Sequence, residues 1–199
     1  MIEQKEVIDY FDRLAPTWDD ELIRSDEKIN IILDNAGVTR GSKVLDVACG
    51  TGVLIPDYLS REVAEVTAID ISPEMITLAK AKFNEPNVRF ICGDVETTDV
   101  GTEFDAIVVY NAFPHFPDPE RLIENLVKLL KNGGLLTVAH GMSREKIDAH
   151  HQGRASHVSN GLMEAESLAG IFSKHLEVTT ILSNDEMYQV AGRKGPKLF

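Results

Sequence analysis

The sequence has little positive charge and lacks long apolar runs. Its 199 residues carry 32 acidic side chains against 20 Lys and Arg, which gives a formal net charge of −12. A surface of that sign repels phosphate backbones, so the composition disfavours nucleic acid as a partner. No apolar stretch approaches the roughly 20 residues that a membrane helix needs. We therefore expect neither a nucleic-acid partner nor a membrane span.

The amino terminus and the scarcity of cysteine both favour one compartment. Residues 1–6 are acidic and lack the basic and apolar regions of a signal peptide. Only two cysteines occur, Cys49 and Cys92, and we expect both to be reduced thiols. The sequence therefore predicts a cytoplasmic protein.

Helical and apolar segments alternate along the chain and predict one α/β domain over residues 1–199. Strands that alternate with helices form parallel βαβ units, and the last two apolar segments look like a hairpin. We therefore expect a doubly wound, Rossmann-like, mostly parallel seven-stranded sheet with one antiparallel strand and helices on both faces. The predicted strands are 43–48, 65–69, 88–92, 104–110, 135–140, 176–182 and 187–191.

The helices are predicted from capping signals. Residues 1–36 have helical character with a break near Ala15-Pro16, because proline disfavours helix in the residue before it. A helix is expected at 52–60, and another begins at Ser72, a typical N-cap residue followed by proline. Further helices are expected at 119–130, with Asn132-Gly133-Gly134 as a C-cap, and at 164–175. We expect residues 1–36 to form a helical N-terminal lid.

In the stretch VLDVACGTG, the first predicted strand ends in a loop with glycine at alternate positions, which indicates a ligand site. Ligands of open α/β sheets bind beyond the carboxyl ends of strands. The stretch does not match the phosphate loop, because Val53 follows Gly52, nor the dinucleotide fingerprint, because Ile55 stands at its third glycine position. Asp46 lies four residues before Gly50 and would repel a pyrophosphate but suit an ammonium group.

Two more acidic residues follow the next two predicted strands. Asp70 can accept hydrogen bonds from both hydroxyls of a ribose. Asp94 can accept from an exocyclic amine, and the Val95 backbone N–H can donate to a ring nitrogen. Taken alone, Asp70 is equally a helix cap and Asp94 a solvated turn residue. Three acids at the ends of three successive strands favour a ligand site.

Five segments, in this order, resemble the motifs of the class I S-adenosylmethionine (SAM)-dependent methyltransferases: VLDVACGTG, AIDISPEM, CGDVE, FDAIVVYNAFPHF and LLKNGGLLTVAH. The opening YFDRLAPTWD is similar to the start of the ubiquinone/menaquinone-biosynthesis C-methyltransferases and their small-molecule relatives. The resemblance implies that SAM is the cofactor and that a small molecule is the methyl acceptor.

The resemblance also implies roles for the matching positions. Gly50 and Gly52 would line the methionine end of SAM, with Asp46 near its ammonium. Asp70 would bind the ribose, and Asp94 would accept from the adenine amine. Ile71 and Met75 would pack against the adenine, and Asn111 and Ala112 would flank the sulfonium. The predicted cofactor residues are Asp46, Ala48, Gly50, Thr51, Gly52, Asp70, Ile71, Met75, Asp94, Val95, Asn111 and Ala112.

Two regions are candidates to cover the methyl group. The N-terminal segment with Tyr10, Phe11 and Trp18 is either an ordinary amphipathic helix or a lid with aromatic contacts. The second region, residues 141–163, follows the fifth predicted strand and is a candidate cover for the acceptor site. The predicted catalytic residues come from this region and from the loop after the fourth strand: His115, His150, His151 and His157.

The histidines near residues 140–157 allow three interpretations. They lie on a solvated surface helix, or they join Arg144 and Lys146 in a cationic wall for an anionic acceptor, with a histidine as base. The third interpretation is a metal site, which the spacing does not favour, because His151 and His157 are six residues apart. His115 is an alternative acceptor-side residue or an ordinary loop histidine.

Two other functions compete with a small-molecule methyltransferase. One is a SAM-binding module without catalysis. The other is a methyltransferase that acts on a macromolecule, which the net charge of −12 and the lack of an added recognition domain disfavour. The sequence leaves the acceptor, the attacked atom and the oligomeric state open.

Overall fold

The computed structural model describes residues 2–196, except for the side chains of residues 150–154. Its seven strands form one sheet in the order β3-β2-β1-β4-β5-β7-β6. The strands are β1 (Lys43–Val47), β2 (Glu65–Asp70), β3 (Val88–Cys92), β4 (Phe104–Tyr110), β5 (Leu130–His140), β6 (Glu177–Ser183) and β7 (Tyr188–Arg193). The helices are α1 (Gln4–Leu14), α2 (Asp26–Asn35), α3 (Ile55–Ser60), α4 (Pro73–Lys82), α5 (Pro119–Leu129), α6 (Arg144–Arg154) and α7 (Ala165–Phe172).

The sheet has the predicted doubly wound topology. Strands β3, β2, β1, β4 and β5 pair in parallel, and β7 runs antiparallel to both of its neighbours, β5 and β6. The chain moves outward from β1 to β3 and then returns to place β4 on the other side of β1. A crevice forms where the strand order reverses in this way, so the ends of β1 and β4 mark the expected ligand position.

Two hydrophobic clusters cover the two faces of the sheet. On one face, Leu45 and Val47 of β1 pack in a cluster that includes Leu122 of α5 and Phe172 of α7. On the other face, residues such as Val44 belong to a cluster with side chains of α2, α3 and α4. Because successive strand residues point to opposite faces, helices are needed on both sides to bury such apolar strands.

The predicted helix ends differ from the structure in two loops. The helix predicted at 52–60 begins only at Ile55, because Thr51–Leu54 are turn residues. The prediction that Asn132-Gly133-Gly134 form a C-cap is wrong. These residues belong to β5, where the Gly133 N–H donates to the Lys194 carbonyl and the Lys194 N–H donates to Gly134. A partner 60 residues away is invisible to local capping rules.

The N-terminal α-helix ends at the predicted break. Helix α1 stops at Leu14, and a 3-10 helix, Ala15–Thr17, follows it directly, with Pro16 in its first turn, where proline is tolerated. Helix α2 then starts after Ser25, whose side chain caps the Lys28 N–H. Residues 18–25 connect the two helices, and Asp19 in this segment contacts Thr51 in the loop after β1.

In the described part of the chain, none of the helices combines the length and the apolar character that a membrane span needs.

Candidate functional site

A cavity of about 260 Å³ lies beyond the carboxyl ends of β1, β2 and β4. A single water needs only about 10–15 Å³, so the cavity has room for a small molecule. It lies at the reversal of strand order, as expected for this fold. Nine of the twelve predicted cofactor residues line it: Ala48, Gly50, Asp70, Ile71, Met75, Asp94, Val95, Asn111 and Ala112. Asp46, Thr51 and Gly52 are not among the lining residues.

The glycine loop after β1 owes its path to left-handed backbone conformations. Gly50 and Gly52 have φ values of 56° and 87°, which glycine adopts without steric cost. A Cβ on Gly52 would lie 2.8 Å from the Phe83 ring, so side chains do not fit there. Ala48 also has a positive φ of 56°, and strain of this kind in a non-glycine residue clusters at ligand sites.

Asp70 holds the glycine loop against the end of β2. Its carboxylate accepts hydrogen bonds from the Gly50 N–H at 2.8 Å and from the Ser72 N–H at 2.9 Å. Burial raises the pKa of Asp70, and the N–H bonds oppose that increase. Asp70 therefore fixes the loop and also lines the cavity.

Asp46 lies behind the cavity wall. Its side chain is 2% exposed and does not line the cavity. Burial, and next the negative charge of Asp70, raise the pKa of Asp46 to about 8. The raised pKa favours the protonated form of this carboxyl near neutral pH.

Asp94 is engaged from two sides beyond the end of β3. One carboxylate oxygen accepts from the Glu96 N–H at 2.9 Å. The other accepts from the Gln4 side-chain amide of α1 at 2.8 Å, and Gln4 also lines the cavity. Sequence reasoning missed Gln4 because 90 residues separate it from Asp94 and no motif includes it.

Asp12 fixes helix α1 beside the cavity. The Asp12 Oδ1 accepts a hydrogen bond from the Ser72 hydroxyl and another, at 3.3 Å, from the Glu74 N–H, both at the start of α4. Val7 of α1 packs with Ala155 and Val158 in a small apolar cluster. These contacts join the N-terminal segment to the chain that follows α6.

Aromatic side chains of the N-terminal segment border the cavity. Phe11 and Trp18 both line it, with their rings edge to face at 5.8 Å. Phe11 makes a second edge-to-face contact, 4.9 Å from the His115 ring. Tyr10 contacts Phe11 but is not a lining residue. Sequence reasoning singled out these aromatics, although it did not distinguish Phe11 and Trp18 from Tyr10.

The loop after α1 is tied to the glycine loop through Asp19. The Asp19 carboxylate accepts from the Thr51 hydroxyl and pairs with Lys82 at 2.7 Å. Burial would raise the pKa of Asp19, but the bonds from Lys82 and Thr51 outweigh it and lower the pKa. Thr51, predicted as a cofactor residue, therefore links the N-terminal segment to the floor of the site.

The predicted catalytic histidines separate into different environments. His115 lines the cavity, and its Nδ1 donates to the Val158 carbonyl at 2.7 Å. His157 is exposed and stacks edge to face on Tyr10 at 5.7 Å, outside the lining residues. The side chains of His150 and His151 lie outside the described residues.

The cations near these histidines have local partners. Arg144 pairs with Glu164 at 2.6 Å and with Asp148 at 3.4 Å. Lys146 donates to the Asp185 carbonyl at 3.2 Å. Neither lines the cavity, so the structure does not place Arg144 or Lys146 in a cationic wall around it. Within the described part of the chain, no three His, Cys, Asp or Glu side chains are grouped to hold a metal ion.

An ion pair at the cavity mouth was also missed by sequence reasoning. Arg121 of α5 makes two hydrogen bonds to Glu96, at 2.9 Å and 3.0 Å, and both residues line the cavity. The first turn of a helix that follows a motif strand is a general place for such a residue, but no pattern marks Arg121 specifically.

Part of the chain is similar to known methyltransferases. Residues 44–134 match a family model described as "Methyltransferase domain". A malonyl-[acyl-carrier protein] O-methyltransferase of Acetivibrio thermocellus is 36% identical over 139 residues, 68% of this chain and 49% of that protein. A ubiquinone biosynthesis O-methyltransferase of Coxiella burnetii is 39% identical over 100 residues, 49% of this chain and 42% of that protein. The chain thus spans about half the length of these curated relatives or less.

A solved structure supports the fold. The N-methyltransferase NodS of Bradyrhizobium japonicum WM9, in complex with S-adenosyl-L-homocysteine, superposes with a TM-score of 0.72 at 20% identity. The superposition covers 95% of this chain and 98% of NodS. At that identity the likeness concerns the fold alone, and it confirms the predicted doubly wound architecture.

Proposed function

We propose that the chain carries a class I SAM-dependent methyltransferase domain and that it transfers the methyl group of SAM to a small-molecule acceptor. The observation that carries the proposal is the cavity at the ends of β1, β2 and β4, which nine of the twelve residues expected from the motifs line. We extend the proposal to residues 1–199 as one unit, with residues 1–36 as a lid and 141–163 as part of the acceptor cover.

The lining residues support an assignment for each part of SAM. Gly50 and its loop are proposed to hold the methionine end, and Asp70 the ribose hydroxyls. Ile71 and Met75 would pack on the adenine, and Asp94 would accept from its amine. Asn111 and Ala112, directly after β4, would flank the sulfonium. Asp46 lies behind the wall and does not line the cavity, so we propose that it lies near the ligand ammonium without touching it.

Methyl transfer from a sulfonium is an in-line displacement with a neutral leaving group. The protein therefore mainly has to align the acceptor with the methyl group and exclude water. Phe11 and Trp18 supply an apolar cover above the loop. His115 has its Nδ1 proton committed to the Val158 carbonyl, so its ring is oriented, and we propose that it borders the acceptor.

The charges around the cavity favour an acceptor without a negative charge. Asp70, Asp94 and Glu96 line it, and Arg121 is the one Lys or Arg among the described lining residues. Arg121 is already paired in two hydrogen bonds with Glu96. An anionic acceptor would therefore lack a counter-ion there, whereas a neutral hydroxyl, thiol or amine compound would not need one.

The assay that tests this function measures S-adenosylhomocysteine (SAH) formed from SAM by the purified protein with a panel of neutral and anionic small acceptors. We expect turnover with neutral members. His115→Ala should lower the turnover while leaving SAH affinity nearly unchanged, and His157→Ala is the matched control because it lies outside the cavity. SAH binding without turnover on any acceptor would favour the alternative, a binding module without catalysis.

Nucleic acid is not among the proposed substrates, since the net charge of −12 opposes binding by counter-ion release. A gel shift with RNA or DNA at about 150 mM salt that weakens steeply with more salt would contradict this. A methyltransferase for a macromolecule would then become the better proposal. The cytoplasmic location remains a prediction of the sequence.

A further inference from the structure

Gln4 of the N-terminal segment makes a direct hydrogen bond at the proposed cofactor site. It is the first residue of α1, it lines the cavity, and the neighbouring lining residues Asp94 and Val95 come from the floor. Its Nε2 donates to Asp94 Oδ2 at 2.8 Å. A residue of the lid therefore touches the carboxylate proposed to receive the adenine amine.

The contact leaves Asp94 able to receive a ligand. An ionised carboxylate offers about four lone-pair sites. The Glu96 N–H occupies one on Oδ1, and Gln4 occupies one on Oδ2. Each oxygen therefore keeps acceptor capacity for an exocyclic amine. The Gln4 bond also fixes the rotation of the carboxylate, because it joins the side chain to a separate helix.

The amide of Gln4 brings an acceptor to the same place. A glutamine side chain has two N–H donors and one carbonyl oxygen, and Asp94 is its one hydrogen-bond partner among the residues that the structure describes. An adenine amine has two protons. If Asp94 accepts one, the second needs another acceptor, and the Gln4 Oε1 lies within the same side-chain amide.

We propose that Gln4 is an adenine-specificity residue, whose Oε1 accepts the second proton of the adenine amine while its Nε2 remains bonded to Asp94. The inference rests on the proposed function, since it requires SAM in this cavity. Two acceptors would then face the amine. A 6-oxo base should bind more weakly, because its carbonyl would face the Asp94 carboxylate and the Gln4 Oε1, and neither oxygen can donate to it.

Contacts along α1 hold Gln4 in a fixed position beside Asp94. Asp12 holds α1 at the start of α4, and Val7 packs with Val158. Both contacts lie within three turns of Gln4 on the same 11-residue helix. The N-terminal lid therefore carries Gln4 at one end of α1 and Phe11, which also lines the cavity, near the other.

The test is calorimetric binding of SAH and of its 6-oxo analogue, S-inosylhomocysteine, to the full chain and to Gln4→Ala. We expect Gln4→Ala to bind SAH about threefold to tenfold more weakly, the effect of losing one neutral hydrogen bond. The preference for SAH over the 6-oxo analogue should shrink by a similar factor. Lys5→Ala, an exposed neighbour on α1 that does not line the cavity, should match the parent.

Other results would overturn the inference, either alone or together with the proposed function. Unchanged SAH affinity and unchanged preference in a Gln4→Ala protein with parental thermal stability would overturn the inference. Tighter SAH binding would also overturn it, because Gln4 would then compete with the adenine for Asp94. Failure of the unaltered protein to bind SAH would overturn both the proposed function and this inference. SAH binding without any Gln4 effect would leave the proposed function intact.

Discussion

The floor and the roof of the cavity are assembled in different ways. We use floor for the segments at and after the strand ends, residues 46–52, 70–75 and 93–96, including those directly behind the cavity wall. We use roof for the N-terminal residues 2–22 together with residues 155–160, which pack against them. Floor contacts join adjacent strands, such as Asp70 to the Gly50 N–H, and the parallel register of β1 and β2 sets them. Roof contacts join segments far apart in sequence, since Gln4 and Asp94 are 90 residues apart. Local motifs therefore encode the floor, and tertiary packing positions the roof.

The largest expected effect lies in the floor, at Asp70. Asp70→Ala should weaken SAH binding by about 1.5–3 kcal/mol, because it removes hydrogen bonds to a charged group. It also frees the Gly50 and Ser72 N–H groups that Asp70 now receives. Calorimetry on the folded variant measures the loss. An affinity equal to that of the parent would remove Asp70 from the site and weaken the distinction between floor and roof.

Gly52 tests whether the loop conformation itself is required. In Gly52→Ala, the new Cβ would meet the Phe83 ring at 2.8 Å in a backbone with φ of 87°. We expect a loss of about 2 kcal/mol in the free energy of unfolding, from steric strain and an unfavourable φ. Urea unfolding measures it.

Gly170→Ala is the matched control for Gly52, because nothing lies within 4 Å of its added Cβ. Gly170 is in α7, where alanine is favoured over glycine by about 0.5–1 kcal/mol. The control should therefore gain stability. A loss of stability in Gly170→Ala comparable with that in Gly52→Ala would show that the glycine loop is not special.

Asp46 predicts a pH dependence of stability that originates in the floor. Burial and Asp70 raise its pKa to about 8, whereas an unfolded aspartate titrates near 3.9. The folded protein thus retains a proton that the unfolded chain releases, so this contribution to stability is present at low pH and is lost as the pH rises toward 8. Between pH 6 and 8 the loss is about 2 kcal/mol.

Urea unfolding at pH 6 and pH 8 measures this loss in the parent and in Asp46→Asn. The variant cannot ionise at position 46, so its decline between the two pH values should be smaller by about the same amount. An identical decline in both proteins would assign the pH dependence to other groups and would contradict a raised pKa at Asp46.

The sequence predicted most of the fold because its signals are local. Apolar strands, the Ser72 N-cap and the glycine loop each act over a few residues, and the structure has the predicted topology. The C-cap at Asn132-Gly133-Gly134 was wrong because Lys194, far along the chain, pairs with that loop. A glycine pair fits a helix end and a strand irregularity equally well, and only the distant partner decides.

The site was predictable to the same extent and for the same reason. Motif positions such as Gly50 and Asp94 line the cavity. Gln4 and Arg121 were not found, because each reaches the site from a helix whose sequence follows only general amphipathic rules. One of the three interpretations of the histidine-rich segment put Arg144 in a cationic wall, but Arg144 does not line this cavity and pairs with Glu164, a partner that composition alone does not reveal. Composition shows which charged side chains the chain has, but tertiary packing determines where each of them lies.

The smallest expected effect concerns the roof and is located at Asp12. Asp12→Ala removes its bonds to the Ser72 hydroxyl and the Glu74 N–H, which should cost about 0.5–1.5 kcal/mol of stability. Asp12→Asn keeps the accepting Oδ1 and should restore most of it, whereas Asp9→Ala, exposed on the same helix, should have no effect. Because the roof is held by several separate contacts, loosening one should speed SAH release more than it lowers stability. Stopped-flow dissociation of SAH measures that rate. If Asp12→Ala reduced SAH affinity as much as Asp70→Ala does, the roof would be as important for binding as the floor, and the contrast between the two would not hold.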